Sequence, residues 1–315
     1  MSRPLVIGVD AGGTKLLAGV VDDALEVHQS VRHVWGGTGR ADTLEVMVET
    51  VAELLEAVPD ARAIGFGIPS LVEFSTGVSR WSNHLPLGDF DFAGELARRV
   101  GRPVVVDNDA SAAVLAEHRF GAARGFQHAA LVALGTGIGG GLVLDGRVYR
   151  GAHGFAGEVG HVVVDHDGED CPGDCPGRGC LEALASGRAI GRAGERAGVA
   201  APDTELGRYM VEHAVVPGDL VTRLAVAGDP LATDVLADVG RRLGAGLTGL
   251  VNLLDPEVVV VGGGAAAAGQ LILEPAREVV AARALPPVAE RVRIVPAAFR
   301  EEAGMLGAAI LAMEL

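Results

Sequence analysis

Two stretches of this chain follow one plan: an apolar run, a short glycine turn containing a threonine, and a second apolar run that returns. In residues 5–21 the turn is Asp10-Ala-Gly-Gly-Thr-Lys15, and in residues 127–144 it is Gly135-Thr-Gly-Ile-Gly-Gly-Gly141. Aliphatic, β-branched runs bounded by glycine read as buried strands paired in a hairpin. Glycine has no Cβ, so the backbone N–H groups of such turns can approach an anion closely. One such hairpin in each half of the chain predicts two related α/β domains that hold a polyphosphate from both sides. The first turn is not a Walker A loop, which needs a helix after its glycines and a Gly-Lys-Ser/Thr ending.

The remaining periodicities fill in an α/β pattern. Leu44, Met47, Val51, Leu54 and Leu55 fall at helical spacing and predict an amphipathic helix over residues 43–58. Residues 63–68 read as a buried strand stopped by Pro69-Ser70, and residues 79–91, with Trp81, Asn83 and His84, read as irregular. A short helix is expected over 92–100, then a strand over 103–106 delivering Asp107-Asn-Asp109 at its end. Ligands of α/β sheets bind at the carboxyl ends of strands, and a carboxylate there can take a hydroxyl proton. The same triplet also fits the cap of a helix over 110–120, and both roles can coexist. Residues 187–242 read as mostly helical with breaks at Pro217 and Asp229-Pro230, and 241–254 as a further helix. A strand over 256–261 runs into a third glycine turn, Gly262 to Gly264, and a helix over 301–313 closes the chain.

Residues 135–182 concentrate the chemistry. Beyond the second glycine turn they hold Glu158-x-x-His161, a further glutamate, Glu182, and all three cysteines, Cys171, Cys175 and Cys180. The carboxylates and imidazole offer grips for hydroxyls, and the thiols with His161 offer a metal site. A tight cluster of three cysteines leaves one unpaired under any disulfide scheme and favours a metal in a reducing compartment.

A net charge of −15 argues against a nucleic-acid surface, which draws on clustered lysine and arginine. Lys15 is the only lysine in the chain, and it sits in a glycine turn. No apolar run approaches the roughly 20 residues of a membrane span. The first apolar run follows Met1 too closely for a signal peptide, so a cytoplasmic enzyme with no membrane partner is expected.

Taken together the motifs resemble the ROK family of sugar kinases, closest to its bacterial glucokinases. The resemblance is carried by Asp10-Ala-Gly-Gly-Thr-Lys15, Asp107-Asn-Asp-Ala110, Gly135-Thr-Gly-Ile-Gly-Gly-Gly141, Gly157-Glu-Val-Gly-His161, Gly179-Cys-Leu-Glu182 and Gly262-Gly-Gly264. It implies an actin-like ATPase (ribonuclease H-like) fold, two α/β domains around a cleft, divided here as residues 1–112 plus 299–315 and residues 113–298. It implies ATP and Mg²⁺. Asp10, Gly12, Gly13, Thr14 and Lys15, with Gly135, Thr136, Gly137 and Gly139, would lie on the phosphates, and Gly262, Gly263 and Gly264 near the nucleoside. Asp109 would be the base that takes the proton of a hexose 6-hydroxyl, most simply that of glucose. Asn83, Asn108, Glu158, His161 and Glu182 would hold the other hydroxyls. A structural Zn²⁺ on His161, Cys171, Cys175 and Cys180 is implied, although the family's Cys-x-Cys is lengthened here to Cys171-Pro-Gly-Asp-Cys175. The resemblance also implies a homodimer or homotetramer. The family's sugar-responsive repressors carry a DNA-binding segment ahead of the first glycine turn, for which Asp10 lies too near Met1.

Overall fold

A computed structural model describes residues 4–13, 15–35, 39–82 and 85–315. In chain order its strands are β1 (Val6–Ala11), β2 (Lys15–Val21), β3 (Val27–Val34), β4 (Ile64–Ile68), β5 (Leu71–Glu73), β6 (Val78–Trp81), β7 (Phe90–Asp91), β8 (Val104–Asn108), β9 (Ala129–Leu134), β10 (Ile138–Leu144), β11 (Arg147–Val148), β12 (Val258–Gly262) and β13 (Arg293–Pro296). The α-helices are α1 (Arg40–Ala57), α2 (Phe92–Val100), α3 (Asp109–Phe120), α4 (Leu181–Ala185), α5 (Gly187–Ala200), α6 (Glu205–His213), α7 (Gly218–Val226), α8 (Pro230–Leu254), α9 (Gln270–Arg283), α10 (Pro286–Ala289) and α11 (Ala303–Met313). Among the described residues no helix is long and apolar enough to cross a membrane.

The chain divides into two compact units, Met1–Gly125 with Gly141–Gly157 and Glu301–Leu315, and Phe126–Gly140 with Glu158–Arg300. This differs from the division expected at residue 112. Helix α3 stays whole in the first unit because it packs along α11. The segment after Gly141 returns to that unit, its first glycine lying against Ala110 and Val114.

In the first unit the sheet order is β3-β2-β1-β4-β8, with β1, β4 and β8 parallel and β2 and β3 antiparallel. Strand alternation explains its two faces. Ile7, Val9, Phe66 and Ile68 point to one side and build a core with Met47, Val51 and Leu54 of α1 and Phe92 and Leu96 of α2. On the other side Gly8 and Gly65, paired across β1 and β4, let α11 lie directly on the strands; a Cβ at either would overlap the backbone of Met305 or Ala308. Gly307 of α11 in turn receives the backbone of α3 at Ala112. The register then lines up the strand ends: Asp10 pairs with Gly67, Gly67 with Asp107, and Ile68 with Asn108.

One expectation changes here, and one strand was not expected. The stretch 79–91 is not irregular throughout, because β5, β6 and β7 form a small antiparallel sheet across it. Strand β3 had no signal in the sequence; its residues alternate between half-buried and exposed with no fully buried face.

In the second unit β9, β12 and β13 run parallel within the order β11-β10-β9-β12-β13. The long helix α8 packs against α7 and α9. It is one helix of 25 residues rather than two, since Asp229 caps it by accepting from the Ala232 N–H at 2.8 Å and Pro230 starts it. Proline at the first helical position needs no N–H partner, so the Asp-Pro pair read as a break is a start.

Candidate active site

The first glycine turn follows β1, and its Gly12 carbonyl accepts the Trp35 indole N–H at 2.8 Å. Trp35 is nearly buried and clamps the turn, a role that no local pattern in the sequence announced. Asp10, the last polar group before the turn, faces the N-terminus of α11; only glycine fits at position 304, where a Cβ would meet the Asp10 carboxylate. Burial pushes the Asp10 carboxyl up to about 8, and the Asp109 carboxylate adds to the rise. Carboxyls shifted this far by burial and a neighbouring carboxylate are concentrated at functional sites, which keeps Asp10 among the candidates.

At the end of β8 the triplet splits its work. The Asn108 side chain is the cap of α3, accepting from the N–H groups of Ala110 at 2.9 Å and Ser111 at 3.1 Å. Its amide donates to the Ser70 carbonyl at 3.3 Å, and an amide nitrogen carries two hydrogens, so the group retains a donor. Asp109 opens the helix and accepts from the Ala110 N–H at 2.8 Å. Asp107 turns into the interior, fully buried, where Arg150 grips one of its oxygens.

In the second unit the glycine turns again follow parallel strands. Gly135 donates to the Gly137 carbonyl at 2.9 Å, which closes the second turn on itself. The start of α5 supports that turn: the Gly187 N–H reaches the Gly135 carbonyl at 2.9 Å and the Arg188 N–H reaches the Thr136 carbonyl at 3.4 Å. Gly139 lies beyond the turn, inside β10. Gly262 ends β12, and Gly263 has φ +86° with the Leu134 backbone where a Cβ would sit, so this position demands glycine. Gly264 faces open space.

Ile138 is where the residues expected to grip hydroxyls meet the second turn. Its N–H donates to the Glu182 carboxylate at 2.8 Å, and that carboxylate fills the space beside Gly137. Its carbonyl lies under Gly160, the middle of the single 3₁₀ turn Val159–His161 that Glu158 precedes. His161 Nε2 stands 4.0 Å from Glu158. The other ring nitrogen, Nδ1, stands 3.5 Å from Cys171 Sγ.

His161, Cys171, Cys175 and Cys180 form a tight group whose ligand atoms all lie within 4.8 Å of one another. Burial and the neighbouring thiols push Cys171 and Cys180 above the ordinary thiol range. Three sulfurs with one imidazole are a tetrahedral zinc set, and a cation bound there would draw off the thiol protons. The lengthened Cys171–Cys175 stretch is absorbed locally by Gly173 at φ +78° and by the Cys171 N–H to Gly177 carbonyl bond of 2.9 Å.

The profile of the ROK family matches residues 6–314. The chain belongs to the ROK family. It is 35% identical to a glucokinase of Thermotoga maritima, over 100% of this chain and 99% of the relative. The crystal structure of a ROK family glucokinase from Streptomyces griseus in complex with glucose and AMPPNP is 32% identical and superposes with a TM-score of 0.90, covering 99% of this chain and 100% of that one. A ROK hexokinase from Thermus thermophilus is 36% identical with a TM-score of 0.76, covering 98% of each chain. The ROK chain accordingly has the actin-like ATPase fold that its motifs implied.

Against this ROK frame, the structure brings Asp10, Gly12, Asn108 and Asp109 to one end of the first sheet. It gathers Gly135, Gly137, Glu158, His161 and Glu182 around Ile138 in the second unit. Gly13 and Lys15 are exposed beside the first turn. Thr14 and Asn83 lie outside the described residues. Arg150 was missed because its partner is distant in sequence. The available signal was alternation along β8: Asp107 must point opposite to Asn108, into the interior, where a carboxylate needs a cation.

Proposed function

We propose that this chain is an ATP-dependent hexose kinase that transfers the γ-phosphoryl group of ATP to the 6-hydroxyl of glucose. The observation that carries the reading is the full-length likeness to the Streptomyces griseus ROK glucokinase holding glucose and AMPPNP, at a TM-score of 0.90. In this reading Asp109 takes the proton of the sugar hydroxyl, whose oxygen attacks the γ-phosphorus while the bond to ADP breaks. Asn108, Glu158, His161 and Glu182 hold the remaining hydroxyls, joined by Asn83. The glycine turns at Gly12 to Lys15 and Gly135 to Gly137, with Gly139 at the start of β10, would lie along the phosphates, and Gly262 to Gly264 near the nucleoside. Phosphoryl transfer is mostly positioning and charge stabilisation, so a set of fixed hydroxyl grips suits it better than a special nucleophile.

Mg²⁺ carried in with ATP would neutralise charge on the phosphates. Asp10 suits such a cation, because burial otherwise opposes its ionisation. The Cys₃His group would hold a structural Zn²⁺ through His161 Nδ1, fixing the ring with Nε2 on the Glu158 side. Three free cysteines suit a cytoplasmic enzyme, and a homodimer or homotetramer is the assembly in keeping with the family resemblance.

The test is ADP release from purified protein across glucose, mannose, fructose and N-acetylhexosamines, with ATP or polyphosphate as donor. Turnover is expected with glucose and ATP. Strong turnover on another sugar or donor with none on glucose and ATP would overturn the substrate assignment.

A further inference from the structure

Asp107 is the residue immediately before the proposed sugar-binding pair, yet it faces away from solvent and is fully buried. Its two oxygens have separate partners. Oδ2 accepts from Arg150 Nε at 2.8 Å and lies 2.7 Å from Arg150 Nη2, a two-pronged grip. Oδ1 accepts the backbone N–H of Asn108 at 2.9 Å. The carboxylate therefore transmits the position of one guanidinium to the main chain at the end of β8. From there the path is short: the Asn108 side chain caps α3, and Asp109 is the first residue of that helix.

Arg150 is itself fixed from three sides. Its guanidinium stacks 3.8 Å above the Phe74 ring. Its carbonyl accepts from the Ala156 N–H at 3.0 Å, which closes residues 150–157 into a compact loop. Within that loop Gly154, at φ +94°, lies against the backbone of Val72 and Phe74, where no side chain fits. The loop runs in sequence directly into Glu158. One arginine thus ties β8, the turn after β5 and the segment leading to the Glu-x-x-His motif.

We propose that Arg150 is a positioning residue for phosphoryl transfer, holding Asp107 and through it the backbone that aims Asn108 and Asp109. The proposal rests on the reading of Asp109 as the base. A buried ion pair contributes little net stability compared with apolar side chains of the same volume, but its fork geometry fixes direction. Lysine supplies the charge without the fork, so the two properties can be separated by substitution.

The experiment compares Arg150→Lys, Arg150→Met and Asp109→Asn with the parent enzyme. It measures kcat and KM for glucose, AMP-PNP affinity by calorimetry, and thermal melting. A misplacement of reacting groups by about 1 Å costs on the order of 10²-fold, and that is the loss in kcat expected for Arg150→Met. Arg150→Lys should recover part of it and remain about 5- to 10-fold below the parent, in line with the loss of one of the two N–H groups on Asp107 Oδ2. AMP-PNP affinity should change by less than about threefold, whereas the glucose KM should rise as kcat falls, because Asn108 is misaligned together with Asp109. Parent-like kcat in Arg150→Lys, or in Arg150→Met with only a lowered melting temperature, would overturn the proposal. If Arg150→Met does not fold, Arg150→Lys alone decides. Turnover retained in Asp109→Asn would defeat the base assignment instead, whatever the Arg150 variants do.

Discussion

The Glu182 carboxylate faces two demands. The family resemblance places it on a sugar hydroxyl, while the structure spends Oε2 on the Ile138 N–H at 2.8 Å and packs the group beside Gly137. A carboxylate has lone pairs for both. Removing it should therefore injure two substrates. In Glu182→Ala the buried Ile138 N–H loses its acceptor, a cost of about 1–3 kcal/mol, and the second glycine turn loses its support. KM should rise for ATP as well as for glucose, whereas Glu158→Ala should raise the glucose KM alone. Steady-state kinetics with each substrate varied in turn separates these outcomes, and an effect of Glu182→Ala on glucose only would reduce the residue to a hydroxyl ligand. At this scale the sequence was legible in part. It put Asp107-Asn-Asp109 at a strand end and left capping and binding open, because both use the same side-chain oxygens at a strand-to-helix junction. Which residue capped the helix depended on where α3 began, and Arg150 depended on a contact across 43 positions that no local pattern encodes.

Elements carry the second lesson. The two glycine hairpins were readable because buried strands flanking a glycine turn have a strong, short-range signature. Strand β3 and the small β5-β6-β7 sheet were not, since their residues lack a continuous apolar face and are held by pairing to neighbours chosen elsewhere in the chain. The loop holding the cysteines, residues 162–180, buries only Gly168, Cys171, Gly179 and Cys180. It is tied down by the Val163–Cys180 and Asp170–Arg178 bridges and by Glu169, which pairs with Arg192 at 3.2 Å and Arg196 at 3.1 Å on α5. These exposed pairs contribute little, about 0–1 kcal/mol each, so a metal is the natural fastener. Purified protein should contain one zinc per chain by elemental analysis. Cys175→Ser should lose it and lower the melting temperature, with about 1 kcal/mol corresponding to at most roughly 2–4 °C, the range for 150–250 residues. Because Cys180 leads into α4 and Glu182, the same variant should raise the KM for glucose. Zinc-free wild-type protein of full stability would end the metal assignment.

For the whole molecule, stability against pH is where charge becomes measurable. A net charge of −15 already disfavours compactness as pH rises, through self-repulsion. Asp10 adds a specific contribution whose sign follows from its displacement. Its carboxyl titrates at an ordinary 3.8 in an unfolded chain and near 8 in the fold, raised first by burial and then by Asp109. Between those values the folded protein binds a proton that the unfolded chain has released, so stability falls as pH increases across this window. The slope is at most about 1.4 kcal/mol per pH unit, less where water reaches the half-buried side chain. Below the window both states are protonated, and above it both are ionised and the loss is complete. Asparagine at position 10 carries no such penalty. Ligand-free Asp10→Asn should therefore melt like the parent near pH 4 and progressively above it as pH rises to about 8, with the gap constant beyond. Saturating Mg²⁺ and ATP should stabilise the parent more than the variant if Asp10 meets the cation, narrowing the gap from the other side. Parallel melting curves at all pH values would show that Asp10 ionises in the fold without cost, and the placement proposed for it beside the phosphates would then need another justification.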